Sequence, residues 1–189
     1  IVSPLAIIVS VVVLATSGVC AQPTSVNSLS GASNCMHRIT ASGSYVLNAN
    51  IVGTASKGGS GIAAGNVTVD LNGFSVIGLG PTSSTLFGIR TDPSLTLSNI
   101  AVRTGSVSKW GERGIDLEDT INAMIIDIMI NNCGDGGIVS GFATTIDRCI
   151  VTFNARQTES AQEPAIKVGR NSQIISTVIE NNGFVGIDC

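Results

Sequence analysis

The sequence predicts an all-β fold, a single-stranded parallel β-helix or solenoid of about five to six coils behind an N-terminal cap. Three observations predict it. A Gly-Ile or Ala-Ile pair returns at Ile62, Ile89, Ile115, Ile138, Ile166 and Ile187, in steps of 27, 26, 23, 28 and 21 residues. The mean step of about 25 residues is a solenoid period. Each pair is followed by two further short apolar runs bounded by Gly, Asn, Asp or Ser, which is how strands and their turns read. No window carries apolar residues at i, i+3, i+4 and i+7 over three turns, so a helical reading fails.

The 189 residues, 43% hydrophobic and only 12% charged, suffice for one domain with a sizeable core. The 22 glycines have no three-residue period, which excludes collagen and points to many turns. A net charge of −3, with ten Lys and Arg scattered along the chain, argues against a nucleic-acid partner. Aromatic content of 4% argues against a stacking platform for single strands. A monomer is expected.

Residues 1–21 read as a cleaved export signal: Leu5 to Val19 is almost wholly apolar, and Val19-Cys20-Ala21 before Gln22-Pro23 fits a signal-peptidase site. A secreted or cell-surface protein follows. A retained anchor is the alternative, although the apolar run is short for a span of about 20 residues. Residues 22–34 are polar and aperiodic and read as a linker, with order beginning near Cys35. Residues 35–60 hold short alternating runs (Arg38-Ile39-Thr40, Ser44-Tyr45-Val46-Leu47, Asn50-Ile51-Val52) suited to capping the open end of a stack. Residues 61–189 form the coils. The chain starts at Ile1 without methionine and ends just after Gly186-Ile187 opens a new coil, so further coils beyond Cys189 are expected.

Within each coil the Gly-Ile strand leads to a second strand (Val67-Thr68-Val69, Leu95-Thr96-Leu97, Ile125-Ile126, Thr145-Ile146, Ile174-Ile175). A turn follows at Asp70, Ser98, Asp127, Asp147 or Ser176, residues whose side chains can bond their own turn. The third strand contains Val76, Val102, Ile130, Val151 or Ile179, and several coils leave through Asn132, Asn154 or Asn182. Strands stacked about 4.8 Å apart would bring the six row isoleucines into one interior ladder and let the exit asparagines hydrogen-bond along the axis.

Asn66-Val-Thr-Val-Asp-Leu-Asn-Gly-Phe74, Gly43-Ser-Tyr-Val-Leu47 and Gly105-Ser-Val-Ser-Lys-Trp-Gly111 resemble the exported right-handed parallel β-helix repeat proteins of the pectin-lyase-like superfamily. The resemblance covers residues 36–189 and implies a right-handed helix. It also implies a polysaccharide partner, acidic in the better-known relatives, which are lyases, hydrolases and epimerases. It implies substrate along the outer surface of the first parallel sheet. The Gly-His-Gly and Arg-Ile-Lys motifs of polygalacturonase-like enzymes are not present, and the one histidine, His37, precedes the coils.

On that sheet the residues after the row isoleucines are Ala63, Arg90, Asp116, Val139, Lys167 and Asp188. Stacking would set Arg90 beside Asp116 and Lys167 beside Asp188. These four are the candidate catalytic residues, since an acid and a base with separated pKa values serve proton abstraction or glycosidic cleavage. Exposed ion pairs holding a solvated face are the alternative reading. Trp110 and Arg113, in the loop before Gly114, are candidate substrate-binding residues, Trp110 as a stacking surface for sugar or as packing that closes a coil. Asp116, Glu118, Asp119 and Asp135 are candidate calcium ligands, oxygen donors of the type calcium takes, with turn formation the alternative for Asp beside Gly. Cys35, Cys133, Cys149 and Cys189 follow the signal, and the strand order does not bring Cys133 to Cys149. Two functions remain in view: an exported protein that binds and processes a polysaccharide, and a noncatalytic surface or scaffold solenoid.

Overall fold

The computed structural model describes residues 22–82, 85–155 and 163–189; the expected export signal at 1–21 lies outside them. Among the described residues the strands join in one parallel, curled sheet, and the single antiparallel contact is an isolated bridge between Thr54 and Lys57. Three lines of pairing run through the sheet. The first joins Cys35–Ile39, Gly58–Ile62, Ile89–Thr91, the start of Ile115–Asn131, Ile138–Phe142, Ile166–Val168 and Ile187–Asp188. The second joins Thr24–Ser25, Gly43–Val46, Val67–Asp70, Leu97–Ser108, the middle of Ile115–Asn131, Thr145–Asp147 and Gln173–Ile175. The third runs from Ile51–Val52 through Ser75–Ile77 and Ile150–Thr152 to Val178–Glu180.

The interior is built from like side chains at equal heights. Ile89, Ile115, Ile138 and Ile166 are paired in register and fully buried. Val69, Val102, Ile125 and Ile146 do the same on the second line, and Ile51, Val76, Val107, Ile130 and Val151 on the third. Burying each such side chain contributes about 1.5–3 kcal/mol, which no single repeat could gain alone.

The chain turns from one line to the next at single residues in the left-handed region. Asn66, Asn99, Asn122, Ala143 and Asn171 lead into the second line, and Asn72, Thr104, Asp127, Arg148 and Ser176 lead out of it. Lys109, Asn132, Phe153 and Asn181 close the third. Asn and Asp tolerate this conformation best among residues with a Cβ, which is why polar residues punctuate the repeats. The expected turn positions are right at Asp127 and Ser176 and miss the bend itself at Asp70 and Asp147. Ser98 falls before the second line, because Val102, expected in a third strand after Leu95-Thr96-Leu97, pairs with Val69 and Ile125 on the second line and Val107 takes its place on the third.

Four expectations are corrected. Ile62 is not in the isoleucine row: Ser60 pairs with Ile89, and Ile62 sits two positions on, against Thr91. The exit ladder runs through Asn154 and Asn182, where Asn154 Nδ2 donates to Asn182 Oδ1 at 3.2 Å, and its next rung is Cys133, whose N–H donates to Asn154 Oδ1 at 3.0 Å. Asn132 is the bend before it. A second ladder, Asn122 to Asn99 to Asn66 at 2.6 and 2.7 Å, was not anticipated. Finally, 22–34 is no linker: Thr24–Ser25 pairs with Tyr45 and Val46, and Val26 is fully buried, covering the core at that end. Cys35–Ile39 and the strands after it, expected as a separate cap, pair in parallel like every later repeat.

Candidate functional site

Successive residues of a strand point to opposite sides, so the first line of pairing has one outward row. It reads Arg38, Gly61, Arg90, Asp116, Val139, Lys167, Asp188. The shifted register puts Gly61 where Ala63 was expected and brings in Arg38. Arg90 lies beside Asp116 as the sequence implies, with Nε 3.3 Å from Oδ2. Lys167 is level with Asp188 in the backbone, but its ammonium reaches Glu118 Oε1 at 3.5 Å instead.

Arg113 organises the middle of this face. One of its Nη atoms lies 3.0 Å from Glu118 Oε2 and 3.4 Å from Asp116 Oδ1, and the other donates to Glu163 Oε1 at 3.0 Å. Its Nε stands 3.9 Å from Asp135 Oδ2, beyond hydrogen-bond range, and is buried without a hydrogen-bond acceptor. With 14% of the side chain exposed, Arg113 is committed to protein carboxylates, where the sequence had offered it as a substrate-binding residue. Burial opposes its charge, yet Asp116, Glu163 and Glu118 outweigh that and raise its pKa.

The carboxylates respond in two ways. Burial pushes Asp116 up, and the Arg113 and Arg90 guanidiniums recover only part of the shift. Burial and the neighbouring Asp135 raise Glu112, while burial and Glu163 raise Asp135. For Glu118 burial also acts upward, but the Arg113 hydrogen bond and the Arg113 and Lys167 charges win and lower it. Acids with raised pKa hold a proton closer to neutrality, as general acids must. Asp116 is nevertheless covered, its side chain only 5% exposed, whereas Arg90 and Lys167, each 37% exposed, meet solvent directly.

The four candidate calcium ligands fall in two places. Asp116, Glu118 and Asp135 converge on the Arg113 guanidinium, a cation the chain supplies itself. Asp119 is exposed, and among the described residues no group of three or more His, Cys, Asp or Glu is arranged to hold a metal ion.

Trp110 is no sugar platform. It is 1% exposed, and its indole N–H donates to Val76 O at 3.1 Å, so of its two expected roles the structure realises packing. The four described cysteines are unpaired, with Cys35, Cys133 and Cys149 buried. Burial pushes the Cys133 thiol up to about 12, which makes it inert. His37 Nδ1 lies 2.9 Å from Leu29 O near the first repeat.

Arg38, Glu112 and Glu163 are the members that sequence reasoning missed. Glu163 is 50 residues from Arg113 and sits in no repeat position, so no local pattern could mark it. Arg38 becomes visible once Ser60 rather than Ile62 is placed beside Ile89. Among the described residues no helix is long and apolar enough to cross a membrane. No family model, curated protein or solved structure matches the chain.

Proposed function

We propose that this protein is an exported right-handed parallel β-helix that binds an acidic extracellular polysaccharide along the outward row of its first face. One observation carries the reading: the solvent-facing cations Arg90 and Lys167 stand at the same strand position of different repeats, together with Arg38. Repeated cations on a stiff, regular surface suit a polymer that repeats its carboxylates. Asp116, Glu118 and Arg113 fix the arrangement from beneath, and Asp116 and Asp188 are the acids placed for proton transfer within the row. A second reading, a noncatalytic surface or scaffold solenoid, is favoured by the pairing of Arg90, Arg113 and Lys167 with protein carboxylates.

Asp116→Asn tests the part that Asp116 plays under the first reading. At neutral pH the variant is expected to unfold within ~1 kcal/mol of the wild type, because removing a charge that burial penalises offsets the weakened pairing. The pH dependence has a definite sign. A carboxyl raised in the folded state binds its proton more readily there than in the unfolded chain, so its contribution to stability falls as pH rises. The wild type should therefore gain on Asp116→Asn as pH is lowered towards 3.8. Urea unfolding of both proteins near neutrality and at about pH 4 measures this. A deficit of about 3 kcal/mol at neutral pH would instead show that Arg113 and Arg90 are left uncompensated without the Asp116 carboxylate. Retained glycan binding with lost product formation assigns Asp116 to proton transfer; unchanged turnover assigns it to positioning Arg90.

A further inference from the structure

A cleft of about 200 Å³ opens at the N-terminal end of the outward row, apart from the Arg113 cluster. Arg38 and Arg90 both line it, and Gly61 lies between them in register. Two strand spacings put their backbones about 9.6 Å apart, and the glycine leaves the space between them unfilled. Cys35 closes the floor beside Gly61, where a Cβ would stand only 2.9 Å from its Sγ, so no larger residue fits between the two arginines without displacing the thiol. Phe87 forms part of the wall, with the Arg90 guanidinium 4.1 Å from its ring centroid.

Each guanidinium is only partly used. Arg38 gives Nη2 to Asp92 Oδ2 at 2.6 Å, and Arg90 sets Nε 3.3 Å from Asp116 Oδ2. A guanidinium carries five N–H donors in a planar fork that matches a carboxylate, so both keep donors to spend. Asp92 and Asp116 hold the two forks in place without exhausting them.

We propose that this cleft is a carboxylate-binding subsite that takes a single hexuronic acid unit between Arg38 and Arg90, the rest of the glycan continuing along the row. The inference rests on the reading of the face as a binding site for an acidic polysaccharide. The oligomer tightens over the monomer because the outward row lies next to the cleft.

The test is calorimetric titration of the full chain with galacturonic acid, an α-1,4-linked galacturonate hexamer and the same hexamer with its carboxyls reduced. Arg38→Gln, Arg90→Gln, Arg38→Lys and Lys167→Gln are titrated alongside, with melting temperatures recorded for each. The hexamer should bind more tightly than the monomer, and the carboxyl-reduced hexamer should be weaker by about tenfold or more. Arg38→Gln and Arg90→Gln should lose a similar factor, Arg38→Lys should lose part of it because an ammonium lacks the fork, and Lys167→Gln should lose less than either glutamine variant. If Arg38→Gln melts far below the wild type, the Arg38→Lys and Arg90→Gln titrations decide. Wild-type binding by Arg90→Gln and Arg38→Lys overturns the subsite while leaving the face as an acidic-glycan surface, whereas equal binding of the reduced hexamer overturns both. Absence of binding by all three sugars overturns both.

Discussion

Ile115→Asp is expected to leave the chain unfolded at room temperature. Ile115 is fully buried, with Ile89 paired on one side and Ile138 on the other. An aspartate there would put a carboxylate among isoleucines with no cation within the interior, or remain protonated at the cost of an unmatched hydroxyl and carbonyl. Either outcome costs several kcal/mol against a total stability of about 5–15 kcal/mol. The position compounds the effect, because each repeat is stabilised mainly by its neighbours, and a failed middle repeat separates the two ends of the stack. Ile115→Val, which keeps the row apolar, should cost only about 0.5–1.5 kcal/mol. Circular dichroism melts of the three proteins check this, and an aspartate variant melting with the wild type would refute the register.

The second large effect is expected at Trp110. The indole fills space that glycines leave for it: a Cβ on Gly53, Gly78 or Gly88 would run into the ring. Truncation to alanine removes the largest of the fully buried side chains and should destabilise by about 3–5 kcal/mol. It also strips Val76 O of the indole N–H it accepts, a further penalty for a buried carbonyl left without a donor. Denaturant unfolding measures the loss. A change below about 1 kcal/mol would place Trp110 at a surface, where the sugar-stacking role it has been denied becomes open again.

The all-β class, the period and most of the inward rows, though not the places of Ile62 and Val102, were legible in the sequence for one reason. Parallel strands stacked in register bring like positions into contact, so the core is written as a periodic apolar pattern. The misplaced Ile62 shows where that reading ends. A strand alternates with period two, so a slip of two residues keeps every side chain on its own face and leaves the inside and outside pattern intact. In Gly58-Gly59-Ser60-Gly61-Ile62 only the last residue is apolar, so nothing in the pattern distinguished Ser60 from Ile62 as the partner of Ile89.

The site was less legible than the fold. Arg90 beside Asp116 followed from strand register alone. The closure of Arg113 over Asp116 did not, because it depends on Glu163 and Asp135 from other repeats. The Asn131-Asn132 doublet likewise hid the ladder position, which falls on Cys133, one residue later. Trp110 read as exposed because its loop is polar, and only the three glycines of other segments reveal the socket that takes it.

Affinity electrophoresis of the full chain through gels containing acidic or neutral polysaccharides decides whether the outward row holds an acidic glycan. Salt titration and assays for unsaturated and reducing ends on the same mixtures would accompany it, with calcium and with a chelator. Retardation by the acidic polymers alone is expected, weakening as salt screens the cations of the outward row. Equal mobility in all gels, or retardation by neutral polymers that salt does not touch, would contradict the acidic-glycan reading.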